Sequence, residues 1–348
     1  MKVVGMMSGT SLDGMDLVLC NFLSENGKWF FEIEKADTID YSDDWRNRLS
    51  SAQNLNAEEF IFLHNDYGSY IGKCVRTFLG KKLKAELIAS HGHTVFHQPD
   101  KKMTFQIGNA PYIAAECNLP VISDFRTTDV ALGGQGAPLV PIGDRLLFGE
   151  YGFCLNLGGF ANISNDLNGS RIACDLCPVN IVSNELSKRI GFEYDADGKN
   201  GSRGKLIRDL IMELNELPFY KIKGPKSLGR EWVETAFMPV MNKYKASISD
   251  LLRSFYEHVS DQICHYINSN NGGIVLITGG GVFNKFLIEL IRSKTKREIV
   301  IPDENVVKYK EALIFAFLGM LRFKNQVNCL ASVTGARKDS SGGGVYLA

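Results

Sequence analysis

The chain has 348 residues, of which 45% are hydrophobic and 22% charged, the profile of a globular protein with ample core and, by length, two domains. Lysine plus arginine and aspartate plus glutamate balance at 39 each, so no nucleic acid or anionic membrane partner is expected. Eight cysteines are scattered, and Cys20, Cys74, Cys154 and Cys264 fall in apolar stretches, which predicts reduced core thiols and a cytoplasmic protein.

The first elements are an apolar strand, Val3 to Met7, a turn dense in glycine, hydroxyls and carboxylates (Ser8 to Asp16), and a second apolar run, Leu17 to Phe22. Met1-Lys2 leads straight into the strand, so no secretory leader is expected. The turn offers backbone N–H groups, hydroxyl donors and acids able to hold Mg2+, a combination suited to a triphosphate. A plain β-hairpin is the alternative, but hairpin turns use two to five residues and this one has about eight polar or glycine positions. Trp29 to Thr38 predicts a third strand. Asn56 can cap an amphipathic helix from Ala57 to Leu79, with Phe60, Leu63, Tyr67, Tyr70, Ile71 and Val75 on one face. Leu87 to Ala89 predicts a short buried strand ending in Ser90-His91-Gly92-His93. A strand from Thr104 to Ile107, a helix capped by Asn109 and a strand from Pro120 to Asp124 follow.

Between Thr127 and Pro141 the pattern breaks, and Gly133 to Pro138 predicts a loop crossing between lobes. The second half starts again with a strand, Phe153 to Leu157, the turn Gly158-Gly159, and strands Phe160 to Ile163 and Arg171 to Asp175. Strand, glycine turn, strand, strand thus occurs twice, a duplication at domain scale. Ser247 opens a helix running to about Asn268, with Asp250 at its third position. Ile274 to Ile277 is a buried strand ending in Gly279-Gly280-Gly281, Ile299 to Ile301 another, Glu311 to Phe323 an apolar helix, and the tail, with Ser340 to Gly344, a loop. The longest apolar run, Ala312 to Leu321, is about half a membrane span, so no membrane partner is expected.

Three glycine turns follow apolar strands: Gly9 to Asp16, Gly158-Gly159, and Gly279 to Gly281. Ligands of α/β sheets bind at strand ends, where backbone N–H groups point. No Gly-x4-Gly-Lys-[Ser/Thr] pattern is present, because Gly204-Lys205 is followed by Leu206, and no dinucleotide fingerprint follows a strand. His91, His93 and His97 have tempting ligand spacing, yet hydrogen bonding at a pocket wall is the favoured reading. Cys174-x-x-Cys177 lacks a second pair and is read as packing. Asp195-x-Asp197-Gly198 begins like a calcium loop but has Leu206 where a bidentate glutamate is required.

The segment Met7-Ser8-Gly9-Thr10-Ser11-Leu12-Asp13-Gly14 resembles the signature of the anhydro-N-acetylmuramic acid kinases, members of the actin/hexokinase/Hsp70-like ATPase superfamily. The similarity continues through Ser90 to Val95, Gln106 to Gly108, Asp124 to Arg126, Gly133 to Leu139 and Asn156 to Ile163. It extends through Gly224 to Glu231, Thr278 to Asn284, Glu311-Ala312 and Ser332 to Ala336, and so spans nearly the whole chain in order. The resemblance implies an α/β, two-lobed actin/hexokinase-like ATPase fold with duplicated mixed-sheet cores and an inter-lobe cleft. The first lobe is expected at 1–128 plus 328–348 and the second at 129–327.

It implies ATP and Mg2+ as cofactors, an anhydro amino sugar as substrate, lobes that close on ligand, and a homodimer. Gly9, Thr10, Ser11, Asp13, Gly14, Asp16, Gly158, Gly159 and Asn162 are assigned to the phosphates, with Asp13 and Asp16 as Mg2+ candidates through water. Gly279, Gly280, Gly281 and Asn284 are assigned to adenosine; Arg126, Glu311 and His91 to the sugar. The family's catalytic segment reads Phe-Asp-Thr-Gly-Pro-Gly-Asn. The matching stretch here is Cys174 to Asn180, which assigns the base to Asp175 and departs at Leu176, Cys177 and Val179. The implied reaction hydrolyses the anhydro bridge and phosphorylates the released O6 in peptidoglycan recycling. A silent ATP- and sugar-binding sensor, a kinase for another amino sugar, and an actin-like or Hsp70-like ATPase are the alternative expectations.

Overall fold

A computed structural model describes residues 1–9, 12–222 and 224–348; Thr10 and Ser11, both assigned to phosphate, lie outside the described residues. The chain divides into two compact units, Met1–Phe148 with Tyr309–Ala348, and Gly149–Lys308.

The first unit is built on a sheet ordered β12-β6-β4-β1-β2-β3, with β5 paired to β4. Its strands are β1 (Lys2–Ser8), β2 (Gly14–Glu25), β3 (Lys28–Asp40), β4 (Leu87–Gln98), β5 (Met103–Ile107), β6 (Val121–Ser123) and β12 (Gly344–Tyr346). β1, β2 and β3 form an antiparallel meander, while β4 runs parallel to β1 and β6 parallel to β4. Both faces of the central strands are covered, which is why β1 and the start of β4 are apolar without alternation. One face packs Val4, Met6 and Ile88 against the helix Ala57–Leu79, whose Tyr67, Ile71 and Val75 are fully buried. Asn56 starts that helix with the expected side-chain cap, and Glu59 completes a capping box. On the other face, Gly5 admits the helix that follows Tyr309. A Cβ there would lie 2.1 Å from the Ala312 carbonyl oxygen.

The second unit repeats the plan. Its sheet is ordered β11-β10-β7-β8-β9, with strands β7 (Phe153–Leu157), β8 (Phe160–Leu167), β9 (Ser170–Pro178), β10 (Val275–Thr278) and β11 (Ile299–Val300). Again an antiparallel meander of three strands is followed by strands parallel to the first. The helix Ile248–Ser269, capped by Ser247, buries Leu252, Phe255, Val259 and Ile263 in this unit's core. The expected α/β fold of duplicated mixed sheets is therefore present. The turn after β1 and the turn after β7 occupy corresponding places in the two topologies.

Several boundaries differ from expectation. The units divide after Phe148 and after Lys308, not after 128 and 327. The helix Val140–Leu147 packs on β3, and its Gly143 lies against Ile314, so both segments belong with the first sheet. The Gly133 to Pro138 loop consequently lies within the first unit and is not a crossing. Buried Asp129 ties it down, accepting the Gly136 N–H at 2.8 Å on Oδ2 and the Gly134 N–H on its backbone carbonyl. The final helix begins at Glu304, but the run to Phe323 is broken at Tyr309, where φ is −113° and ψ is 15°. The tail expected as loop contains β12, paired antiparallel to β6. β4 extends well past Ala89 because β5 supplies it with an antiparallel partner. Asn109 starts its helix without a side-chain cap; its amide donates to Asn65 Oδ1 at 2.7 Å instead.

Candidate functional site

In the first unit, β1 delivers Ser8 and Gly9 to the opening turn and β2 leaves it with Gly14 and Asp16. Ser8 is held from behind by a buried chain of hydroxyls. Tyr41 donates to Ser8 Oγ at 2.8 Å and meets the Tyr67 hydroxyl at 2.5 Å. Ser8 Oγ also pairs with His93 Nδ1 at 3.1 Å. Asp16 is half-buried and accepts from Thr38 Oγ1 at 2.7 Å. Burial pushes its carboxyl above the ordinary value, and the Thr38 bond opposes this. Asp13 is exposed.

β4 and the segment after β6 bring His91 and Arg126 together. Arg126 Nε and Nη2 donate to His91 Nε2 at 3.0 and 2.9 Å, and Nη1 donates to the Gly136 carbonyl at 2.7 Å. His91 Nδ1–H in turn donates to its neighbour's carbonyl, Gly92 O, at 2.9 Å. The imidazole is thus neutral with its proton on Nδ1, and burial, then the Arg126 cation, holds its pKa well below the usual histidine value. Burial also lowers Arg126, to about 10, while Glu311 favours its charge. Glu311 keeps solvent contact, yet desolvation in a densely walled position raises its carboxyl above the usual range, with Arg126 opposing. Beside this group is a cavity of about 310 Å³ lined by Ser90, His91, Gln106, Asn109, Asp124 and Thr127. Gln106, Asn109 and Asp124 were not singled out as site residues from sequence. Gln106 and Asp124 stood in quoted motifs, but only the fold shows that they share a wall with His91.

In the second unit, the turn Gly158-Gly159 joins β7 to β8. Its carbonyls accept the N–H groups of Val179, Asn180 and Ile181, fastening the end of β9 beneath it. A Cβ on Gly159 would meet nothing within 4 Å, so the turn is open on its outer side. Asp175 lies on β9 opposite Asn162 of β8, at a β-bulge. Asn162 Nδ2 donates to Asp175 Oδ1 at 2.8 Å, and the Leu228 N–H donates to Oδ2, also at 2.8 Å. Burial raises the Asp175 carboxyl above its ordinary pKa, and the Asn162 and Leu228 bonds hold the rise in check. Asn162, assigned to phosphate, thus orients Asp175 through its amide. Leu176, Cys177 and Val179, the positions of departure, are buried core residues. A larger cavity, about 600 Å³, is lined by Cys174, Leu176, Tyr220, Lys226 and Tyr266. Cys174 and Leu176, the neighbours of Asp175 on β9, both line it.

Gly279 to Gly281 follow β10. Gly279 has φ +84°, and a Cβ on it would be 2.5 Å from Asn156 Oδ1, so only glycine fits. Asn284 caps the helix Lys285–Lys294, accepting the Leu287 N–H at 3.0 Å. With Gly280, Gly281, Asn180, Ser183, Tyr194 and Phe283 it lines a cavity of about 280 Å³. Exposed Phe283 stood in a quoted motif without being singled out as a site residue, and exposed Tyr194 had no sequence signal. Asp195, rejected as a calcium ligand, accepts the N–H groups of Asn200 and Gly201 and the Tyr256 hydroxyl.

Among the described residues no group of three or more His, Cys, Asp or Glu side chains could hold a metal by itself. The candidate histidines are engaged otherwise: His91 by Arg126, His93 by Ser8, His97 by Thr104. Mg2+ needs no all-protein cage, since one or two carboxylates plus substrate phosphates suffice. Half-buried Asp16, with one oxygen turned to Thr38, and exposed Asp13 fit that mode. All eight cysteines are free thiols, and Cys174 and Cys177 are buried in packing. No helix among the described residues is long and apolar enough to cross a membrane.

The family model described as anhydro-N-acetylmuramic acid kinase matches residues 1–348. The protein of that name from Bacillus cereus (strain G9842) is 31% identical over 371 aligned residues, covering 97% of this chain and 97% of the relative. That from Sulfurovum sp. (strain NBC37-1) is 32% identical over 363 residues, covering 99% of each. Among solved structures, component A of the (R)-2-hydroxyglutaryl-CoA dehydratase of Acidaminococcus fermentans is similar with a TM-score of 0.49. It is 11% identical, over 92% of this chain and 97% of that one.

Proposed function

The chain belongs to the anhydro-N-acetylmuramic acid kinase family, and on that premise we propose how it acts as an ATP-dependent kinase of anhydro-N-acetylmuramic acid in peptidoglycan recycling. The observation that carries the mechanism is Asp175, a half-buried carboxylate with each oxygen aimed by one fixed donor and its basicity raised by burial. The substrate's O6 is tied into the anhydro bridge and has no proton to lose. Asp175 therefore takes a proton from water rather than from an acceptor hydroxyl. The hydroxide forms a bond to C1, the C1–O6 bond breaks, and O6 takes the γ-phosphoryl group of ATP as the bond to ADP breaks. The products are N-acetylmuramic acid 6-phosphate and ADP, and Asp175 returns its proton to solvent.

The Gly158 N–H is spent on the Phe160 carbonyl, so the open turn after β7 offers the phosphates its Gly159 N–H, and the opening turn from Gly9 to Asp16 offers backbone N–H groups likewise. Asp16 and Asp13 would hold Mg2+, which would supply neutralising charge to the phosphates when bound. Adenosine occupies the cavity of Gly280, Gly281 and Asn284, with Tyr194 and Phe283 offering aromatic faces to the base. Arg126 spends three of its five N–H groups on His91 and Gly136. The remaining two suit the lactyl carboxylate of the sugar, and Glu311 and His91 contribute the adjoining wall. The reading includes a cytoplasmic homodimer, which light scattering tests.

Asp175→Asn is the decisive variant. ATP-dependent formation of the 6-phosphate should fall by at least about a thousandfold, within the range for loss of a general base. Near-full activity would show that Asp175 is not the base. Because a base must be ionised, kcat/KM should fall as pH drops through the raised pKa of Asp175.

A further inference from the structure

The segment from Gly224 to Gly229 has no regular secondary structure, yet it grips Asp175 twice. The Asp175 N–H donates to the Lys226 carbonyl at 2.9 Å, and the Leu228 N–H donates to Asp175 Oδ2 at 2.8 Å. β9 is the edge of its sheet, and this segment borders it through that backbone bond and the bond to the carboxylate. What fixes the segment is the Lys226 side chain. Its Nζ donates to the Phe219 carbonyl at 3.0 Å and the Ile222 carbonyl at 3.4 Å, at the end of the short helix Pro218–Lys221. The ammonium also lies 4.3 Å from the centroid of the Phe219 ring, and Phe219 is buried in the core. The cation therefore has carbonyl acceptors and an aromatic face, and no carboxylate among the described residues is paired with it.

We propose that Lys226 is a positioning residue for the reaction: its ammonium clamps the 224–229 segment to the core and so holds the Leu228 N–H on Asp175. This rests on the reading of Asp175 as the base. Removing the clamp releases the Leu228 bond, one of the two that oppose the burial of the Asp175 charge. The carboxyl then becomes a weaker acid and a poorly aimed base. The groups facing Asp175 leave the effect readable near neutral pH. Asn162 on β8 does not titrate. Burial drives the thiols of Cys174, to about 11, and Cys177 far above neutrality. Lys226 is the cation being removed.

The test is Lys226→Met in the full chain, with steady-state kinetics from pH 5 to 9, thermal melting, and Lys226→Arg as the conservative rescue. A charged hydrogen bond of ordinary strength predicts kcat lower by about tenfold and the acid limb of kcat/KM raised by about one pH unit. The KM for ATP should stay within about twofold, because uniform binding is untouched. Lys226→Arg should restore both kcat and the limb, since a guanidinium can serve the same carbonyls and ring. Lys226→Gln takes the place of Lys226→Met should the latter fail to fold. An unmoved acid limb overturns the proposal, whether kcat is wild-type or falls together with melting temperature in both variants. Asp175→Asn separates the two ideas: if it stays active the base assignment fails, whereas if it is dead and Lys226→Met keeps the limb, only the clamp fails.

Discussion

Asp144 and Lys310 sit 2.7 Å apart with their side chains 4% and 6% exposed, and the Lys310 ammonium also lies over the Phe148 ring. A buried ion pair contributes little net stability, but removing one partner strands the other charge in low dielectric. Asp144→Ala should therefore destabilise the first unit by about 3–5 kcal/mol, read from the denaturant midpoint. Replacing both partners by Leu and Met should recover much of that loss, and a double variant as unstable as the single would show that the pair's charge is not the cause. Residue-scale roles were legible only unevenly in the sequence. Asp175 was identified through its resemblance to a family segment, but its orienting donors were not. Asn162 reaches it through the register of β8 on β9, and Leu228 from 53 positions away in the chain. His91 and Arg126 were both named, yet the imidazole's tautomer follows only from the two bonds it makes in the fold.

Elements with strong local signals were the readable ones. The helix Ala57–Leu79 shows its Asn56 cap and apolar stripe in sequence, and β7 begins and ends as the apolar run does. β12 was hidden, because a three-residue edge strand after a serine- and glycine-rich stretch is made by its partner β6. β4 was read too short for the same reason: β5 extends it beyond the apolar run. Gly5 shows how two elements constrain one residue. Its missing side chain lets the Ala312 carbonyl and Ala316 approach β1. Gly5→Ala forces a methyl into that contact and should cost about 1–3 kcal/mol or more of stability by overpacking. Thermal melting measures it, and an unchanged melting temperature would mean that the helix can shift away freely.

At the scale of the whole molecule, acid should unfold this protein through its buried imidazoles. Burial holds His93 at about 4 and His258 at about 3, with His91 also well below the ordinary value of 6.5. The unfolded chain then binds more protons than the folded one between these values and 6.5. Stability is accordingly full above 6.5 and is lost as pH falls through that window. Asp16, Asp175 and Glu311 have raised pKa values, so their protonation acts in the opposite direction. Melting temperature should decline steadily from pH 7 to 5; a flat profile would show that the imidazoles are not buried as neutral groups.

The sequence by itself determined the class of fold, the duplication and the glycine turns. Each of these is written in short-range apolar runs and in residues that only a special backbone tolerates. It also determined the family, through a series of motifs in order along nearly the whole chain. Tertiary structure decided the unit boundaries, because the packing of Val140–Leu147 and of the helix after Tyr309 is a long-range choice that no local pattern records. It likewise decided which polar groups surround Asp175, His91 and Asn284. Strand register and loop docking bring together donors far apart in the chain, and burial then sets the charge each group carries.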